Sequence, residues 1–225
     1  MIGQVFQNGY RPEHGDARAD AAFVLWAAGT ALILFPVLVF LLTTLWFAVG
    51  GAITPNSGRI SILLSAAAAI GLSGKLFPGT SRVVPFLALG LGVLASFVAS
   101  LLQDTSIDGQ HYHFQAIYAL AEGWNPVHKP LPPPVIGDAI TPWAVHYPRA
   151  PCVLSANMLP ARLPLATLKL SNLLILFAAA SLLGGALYRA GYSLLFALAL
   201  TSVAVLNPVV LAQIWTSMND GALAL

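Results

Sequence analysis

Five long apolar runs, set apart by short polar breaks and one long one, give this chain its pattern: Ala22 to Val49, Ile60 to Phe77, Val83 to Leu102, Leu168 to Tyr188 and Ser193 to Ala212. Each is close to, or longer than, the roughly 20 residues that an α-helix needs to cross the hydrocarbon of a bilayer. The pattern predicts an all-α fold, a polytopic transmembrane helical bundle of about five spans. Pro36 and Pro208 lie inside the first and last runs, where each removes a backbone donor and is expected to kink its helix. The polar segment 1–21 lacks the short basic start and compact apolar region of a cleavable signal, so the first span is expected to stay in the protein as a signal anchor. The final Ala-Leu-Ala-Leu reads as the opening of another apolar helix, and the chain is expected to be a portion of a longer protein.

The segment between the third and fourth runs breaks the pattern. The Pro-rich stretch KPLPPPVIGDAITP cannot continue a helix, and 65 residues are far more than a connector requires. The chain is thus divided into a polar N-terminal segment, 1–21; three transmembrane helices, 22–102; one large extracytoplasmic loop, 103–167; and two further transmembrane helices with the start of another segment, 168–225. Within the loop, Gly109 to Glu122 sets apolar Phe114, Ile117, Tyr118 and Leu120 beside polar His111, Gln115 and Glu122. This predicts an interfacial helix lying near the membrane surface, ended by Gly123 and Pro126.

Composition agrees with the pattern: 58% of the residues are hydrophobic and 8% charged, and the mean hydropathy is +0.80. Ordinary soluble domains carry roughly a quarter charged residues. A net charge of +2, scattered along the chain, offers no basic surface for nucleic acid and no polybasic lipid anchor. Cys152 is the single cysteine, which excludes an intrachain disulfide and a cysteine-based metal site. With five spans and an inner N-terminus, Arg11, Arg18, Lys75, Arg82 and Arg189 fall inside, and Arg59, Lys129, Arg149, Arg162 and Lys169 outside. Lys129 and Arg149 lie deep in the long loop, where charges weigh little in setting orientation, so the balance turns the loop outward. The segment from Gln213 to Asp220 then shares its face.

The stretch QDTSIDGQHYHFQAIYALAEGWNPVHKP, Gln103 to Pro130, concentrates the chain's ionisable groups and holds three of its five histidines. Asp104 and Asp108 directly follow a span, at the level of lipid headgroups. If the helix runs on through Ser106, both acids lie on one face; if it stops at Gln103, Asp108 caps the helix that begins at Gly109. A carboxylate here is suited to act as a general base towards an acceptor hydroxyl, or to hold a divalent cation against a phosphate. His111 and His113 point to different faces of a helix, which makes them poor partners for one metal ion and better candidates for contacting substrate. Arg149, in HYPRAP, either clamps a phosphate with its planar fork or snorkels to headgroups. Lys169, at the start of the fourth span, either binds phosphate or anchors that helix. Asn207-Pro208 breaks the last span and shapes the segment presenting Thr216, Asn219 and Asp220, where Asp220 is a further acid or the cap of a following helix. Trp124, Trp143 and Trp215 suit an interfacial aromatic belt.

Taken together, DTSIDGQHYH, GWNP behind it, HYP, and then LNPV followed by QIWTSMNDG resemble the large polytopic glycosyltransferases of the GT-C class, in particular uncharacterised bacterial members. The resemblance covers roughly Gln103 to Gly221. It implies an integral protein of the bacterial cytoplasmic (inner) membrane that transfers a sugar from a polyprenyl-phosphate donor on the outer face. It also implies that Asp108 or Asp104 is the base, with Asp220 a second acid on that face and Asp104, Asp108 and Asp220 the candidates for any divalent cation. The alternatives are a non-catalytic membrane protein, such as a transporter fragment or assembly subunit, and an inactive truncated glycosyltransferase.

Overall fold

A computed structural model describes residues 17–80, 82–101, 103–106, 109–132, 150–159 and 165–216. These residues are helical, without a strand among them. In order they form α1 (Ala17–Ala48), α2 (Pro55–Leu76), α3 (Val84–Ser100), a π-helical turn (Gly109–His113) running into α4 (Phe114–Ala121), α5 (Ala150–Met158), a 3-10 turn (Leu165–Lys169) running into α6 (Leu170–Arg189), α7 (Leu194–Val205) and α8 (Pro208–Gln213).

Three stretches, Ala17–Ala48, Pro55–Leu76 and Thr167–Arg189, are long and apolar enough to cross a membrane. The runs predicted as the third and fifth spans form shorter apolar helices, Val84–Ser100 and Leu194–Val205. The fifth is broken outright rather than kinked. Pro208 cannot donate to the helix before it, and the Asn207 side chain accepts from the Val210 N–H at 3.1 Å to start α8 afresh. Pro36, in contrast, is carried inside a continuous α1.

Helix α1 is the centre of the bundle, with α2 and α6 as its main neighbours and α3 and α5 completing the contact. Small residues let the backbones close. A Cβ on Gly29 would lie 2.9 Å from the Ala178 carbonyl oxygen, and one on Gly185 2.9 Å from the Trp26 ring. Trp26 turns the same contact into a polar tie, its indole N–H donating to the Leu182 carbonyl at 3.0 Å. The outward faces are apolar: Phe86 is 78% exposed and Leu195 80%. In water such surface would drive association, whereas lipid solvates it.

A second apolar cluster sits at one end of the bundle, where Ile117, Leu120 and Trp124 meet Phe47, Ile53, Cys152 and Val153. The amphipathic helix predicted in the loop is therefore present, and its apolar face packs on α5 and the end of α1. Gly123, with φ +91°, ends it where a left-handed residue is needed.

Candidate functional site

Helix α3 stops at Ser100, and residues 103–106 are not helical, so Asp104 is not carried on a continuing helix. The carboxylate is buried, and Ser106 holds it: Oδ1 accepts from the Ser106 N–H at 2.9 Å and from its hydroxyl at 2.6 Å. The Gly109 N–H donates in turn to the Ser106 hydroxyl oxygen at 3.1 Å, and the Gln110 amide donates to the Asp104 carbonyl at 3.2 Å. Four short-range bonds thus wrap the acid into the π-helical turn. Gly109 presses against it so closely that a Cβ would enter the carboxylate and the Ser106 hydroxyl. Single π turns are common at functional sites.

The partner of this carboxylate comes from across the loop. Lys169 ends the 3-10 turn before α6, is 1% exposed, and interacts electrostatically with Asp104. A buried ammonium is costly, and the Asp104 carboxylate offsets part of that cost. Sequence reasoning named both residues without seeing that they belong together. The turn bearing Lys169 is fixed in place by Ser155, whose hydroxyl donates to the Leu168 carbonyl at 2.5 Å.

His111 and His113 part as expected, the first exposed and the second 2% exposed. His113 has Nδ1 3.6 Å from the Cys152 sulfur on α5 and stacks with Tyr112 at 4.4 Å. It is thereby tied to α5, while His111 is the member of the two that faces outward. The GWNP turn is structural. Asn125 donates to the Phe47 and Gly51 carbonyls at 2.9 and 2.6 Å and accepts from the Val127 N–H at 2.9 Å, while Trp124 donates to the Lys129 carbonyl at 2.9 Å. His128 closes the same seam against the Ala48 carbonyl at 3.1 Å.

Asp108, Arg149 and Asp220 lie outside the described residues. The chain leading to Asp220 nevertheless comes to the loop end, since Asn172 donates to the Thr216 carbonyl at 3.0 Å and the Gln213 carbonyl at 3.5 Å. Among the described residues no three His, Cys, Asp or Glu side chains gather into a metal site.

Below the Asp104–Lys169 pair an apolar groove of about 410 Å³ runs between α1, α2 and α3, bounded at the loop end by Met158 and by Leu170, the neighbour of Lys169. Arg59 falls on the same face of α2 as Ile62, Leu63 and Ala66, which line the groove, one turn nearer the loop. The groove is thus apolar along its length, with the exposed Arg59 beyond its loop end on the α2 face. Ser106, Gly109 and Cys152 were missed from the sequence. An acid followed two residues later by serine is a local turn signal that could have found the first, while Cys152 carries no such signal. Comparison with known proteins finds no match, whether to a protein-family model, a curated protein or a solved structure.

Proposed function

We propose that the chain is an integral membrane glycosyltransferase of the GT-C type, moving a sugar from a polyprenyl-phosphate carrier to an acceptor hydroxyl on the outer face of the bacterial cytoplasmic membrane. The observation that carries this reading is the buried pair of Asp104 and Lys169 at the head of an apolar groove open between candidate membrane helices. The groove suits an isoprenoid tail, and Arg59, exposed one turn nearer the loop on the same face of α2, suits the phosphate at its head.

In the proposed step the acceptor oxygen attacks the anomeric carbon as a loop aspartate, Asp104 or Asp108, takes its proton. The carbon–oxygen bond to the carrier breaks, and the electron pair leaves on the polyprenyl phosphate, whose charge Arg59 stabilises. Asp104 as a ligand for a divalent cation is the variant of this scheme that a chelator separates, because only that variant loses activity with the metal.

The test is transfer of radiolabelled sugar from a panel of polyprenyl-phosphate donors in membranes holding the chain, Asp104→Asn and Asp108→Asn at matched levels. Transfer by the native chain that is lost in either variant supports the proposal. No transfer by the native chain from any donor overturns it in favour of a non-catalytic membrane subunit.

A further inference from the structure

A second recess, on the other side of α2, has a different character from the groove. It measures about 360 Å³ and lies between the last turns of α1, the first turns of α2 and the end of α5. Its walls are Leu42, Trp46, Ile60 and Leu64, which are 36%, 48%, 56% and 56% exposed. Because α1 and α2 are two of the three helices long and apolar enough to cross a membrane, these side chains face lipid and the recess opens sideways into the bilayer.

Its floor is polar. Thr43, Ser61 and Asn157 are 3%, 8% and 1% exposed. The Asn157 amide donates to the Thr43 hydroxyl oxygen at 3.1 Å and to the Val153 carbonyl at 2.8 Å, and Thr43 and Ser61 lie 3.4 Å apart, oxygen to oxygen. Two hydroxyl protons share that one bond, so one proton is left over whichever way the bond points. Among the described residues nothing else accepts it. Ser96 and Ser181 show the usual alternative, returning their protons to the carbonyl four residues back at 2.9 and 2.7 Å. A donor left over at the bottom of a lipid-facing recess is costly unless a ligand supplies an acceptor.

The depth and charge of the site select that ligand. Ser61 is six residues into α2, about 9 Å along the axis from its start at Pro55, which sets it near the boundary between headgroups and hydrocarbon. Ester carbonyls of membrane lipids lie at that boundary. Among the described residues no charged side chain lines the recess, so a neutral acceptor fits it and a phosphate does not. We infer that the recess binds one ester-linked diacyl lipid, whose ester carbonyl accepts from the Thr43–Ser61 hydroxyl pair while its acyl chain lies along Leu42, Ile60 and Leu64. This site is separate from the groove below Asp104 and does not depend on the glycosyltransferase reading.

The test compares a diacyl phosphatidylethanolamine with its dialkyl ether counterpart, which lacks the ester carbonyls, in native mass spectrometry of the purified, delipidated full chain. The expected result is a one-to-one adduct with the ester lipid, about five- to tenfold tighter than with the ether, as one hydrogen bond allows. Thr43→Val combined with Ser61→Ala, which removes both hydroxyl protons, is expected to bring ester binding down to the ether level, whereas Ser61→Ala alone leaves the Thr43 proton to serve the ester and keeps the preference. Leu64→Trp, which fills the recess, is expected to remove both adducts, with helix content by circular dichroism as the check on folding. Equal binding of ester and ether lipid by the native chain overturns the inference, as does an ester preference that survives when both hydroxyls are removed in the Thr43→Val, Ser61→Ala double variant.

Discussion

A single methyl group at Gly109 would decide whether the Asp104 carboxylate can stay in place. The added Cβ would collide with both the carboxylate and the Ser106 hydroxyl that holds it. Gly109→Ala is therefore expected to swing the acid out of its cradle and lower sugar transfer about a hundredfold, the scale of loss caused by roughly 1 Å of misplacement at a reacting group. Thermal stability is expected to fall as well, because the displaced acid leaves Lys169 buried, while expression and helix content match the native protein, which separates a displaced acid from a failed fold. Lys169 poses the complementary question, whether it is an anchor or one half of a pair. Lys169→Met leaves Asp104 charged and buried, and is expected to cost about 3–5 kcal/mol in reversible unfolding. Asp104→Asn in the same chain is expected to recover most of that loss. Additive effects of the two changes in a double-mutant cycle would instead make Lys169 an ordinary membrane-edge cation.

At the scale of elements, the long apolar runs were legible because span length is a property of composition alone, and α1, α2 and α6 begin or end within a few residues of where their hydropathy places them. The break between α7 and α8 was half legible. Pro208 announced a disturbance, but whether a helix bends or restarts depends on the Asn207 cap and on what packs around it. The GWNP turn shows where reading stops. Its Gly-Trp-Asn-Pro chemistry marks a turn, while its docking site is the Phe47 and Gly51 carbonyls, more than 70 residues away and without any side-chain signature. The pairing of Asp104 with Lys169 was hidden for the same reason, since only the packing of α3 on the 3-10 turn brings them near. Asn125→Ala removes a donor from the Phe47 and Gly51 carbonyls, the first of which keeps the Gly50 N–H, and is expected to cost about 1–3 kcal/mol, with the loss concentrated at the loop end. Hydrogen exchange should then rise in α4 and the α1–α2 connection and remain unchanged in α6.

Across the whole molecule the two ends differ in kind. One end carries Arg18, Lys75, Arg82 and Arg189, two of them on aromatic rings: Arg18 lies 5.4 Å from the centre of the Tyr188 ring, Arg189 5.2 Å from Phe23, and Phe23 touches Phe77 at 6.3 Å. Arg18 also donates to the Gly191 carbonyl at 3.1 Å, tying the start of α1 to the end of α6. At the opposite end the buried cation Lys169 feels the charge of Asp104, and Asn125 and His128 bind the loop to the bundle. A cationic, aromatic end is what the positive-inside rule retains in the cytoplasm, and an end built around a paired acid and a groove is what outer-face chemistry requires. The two statements describe one orientation, so a single experiment tests both. Cys152 is buried, which keeps the native background low, and Lys75→Cys and Lys129→Cys place a thiol at exposed positions at either end. In intact cells an impermeant maleimide is expected to label Lys129→Cys and leave Lys75→Cys unlabelled until the membrane is opened. The reverse pattern would put the Asp104–Lys169 pair in the cytoplasm, where a donor presented on the outer leaflet cannot reach it, and the proposed reaction would fall with the topology.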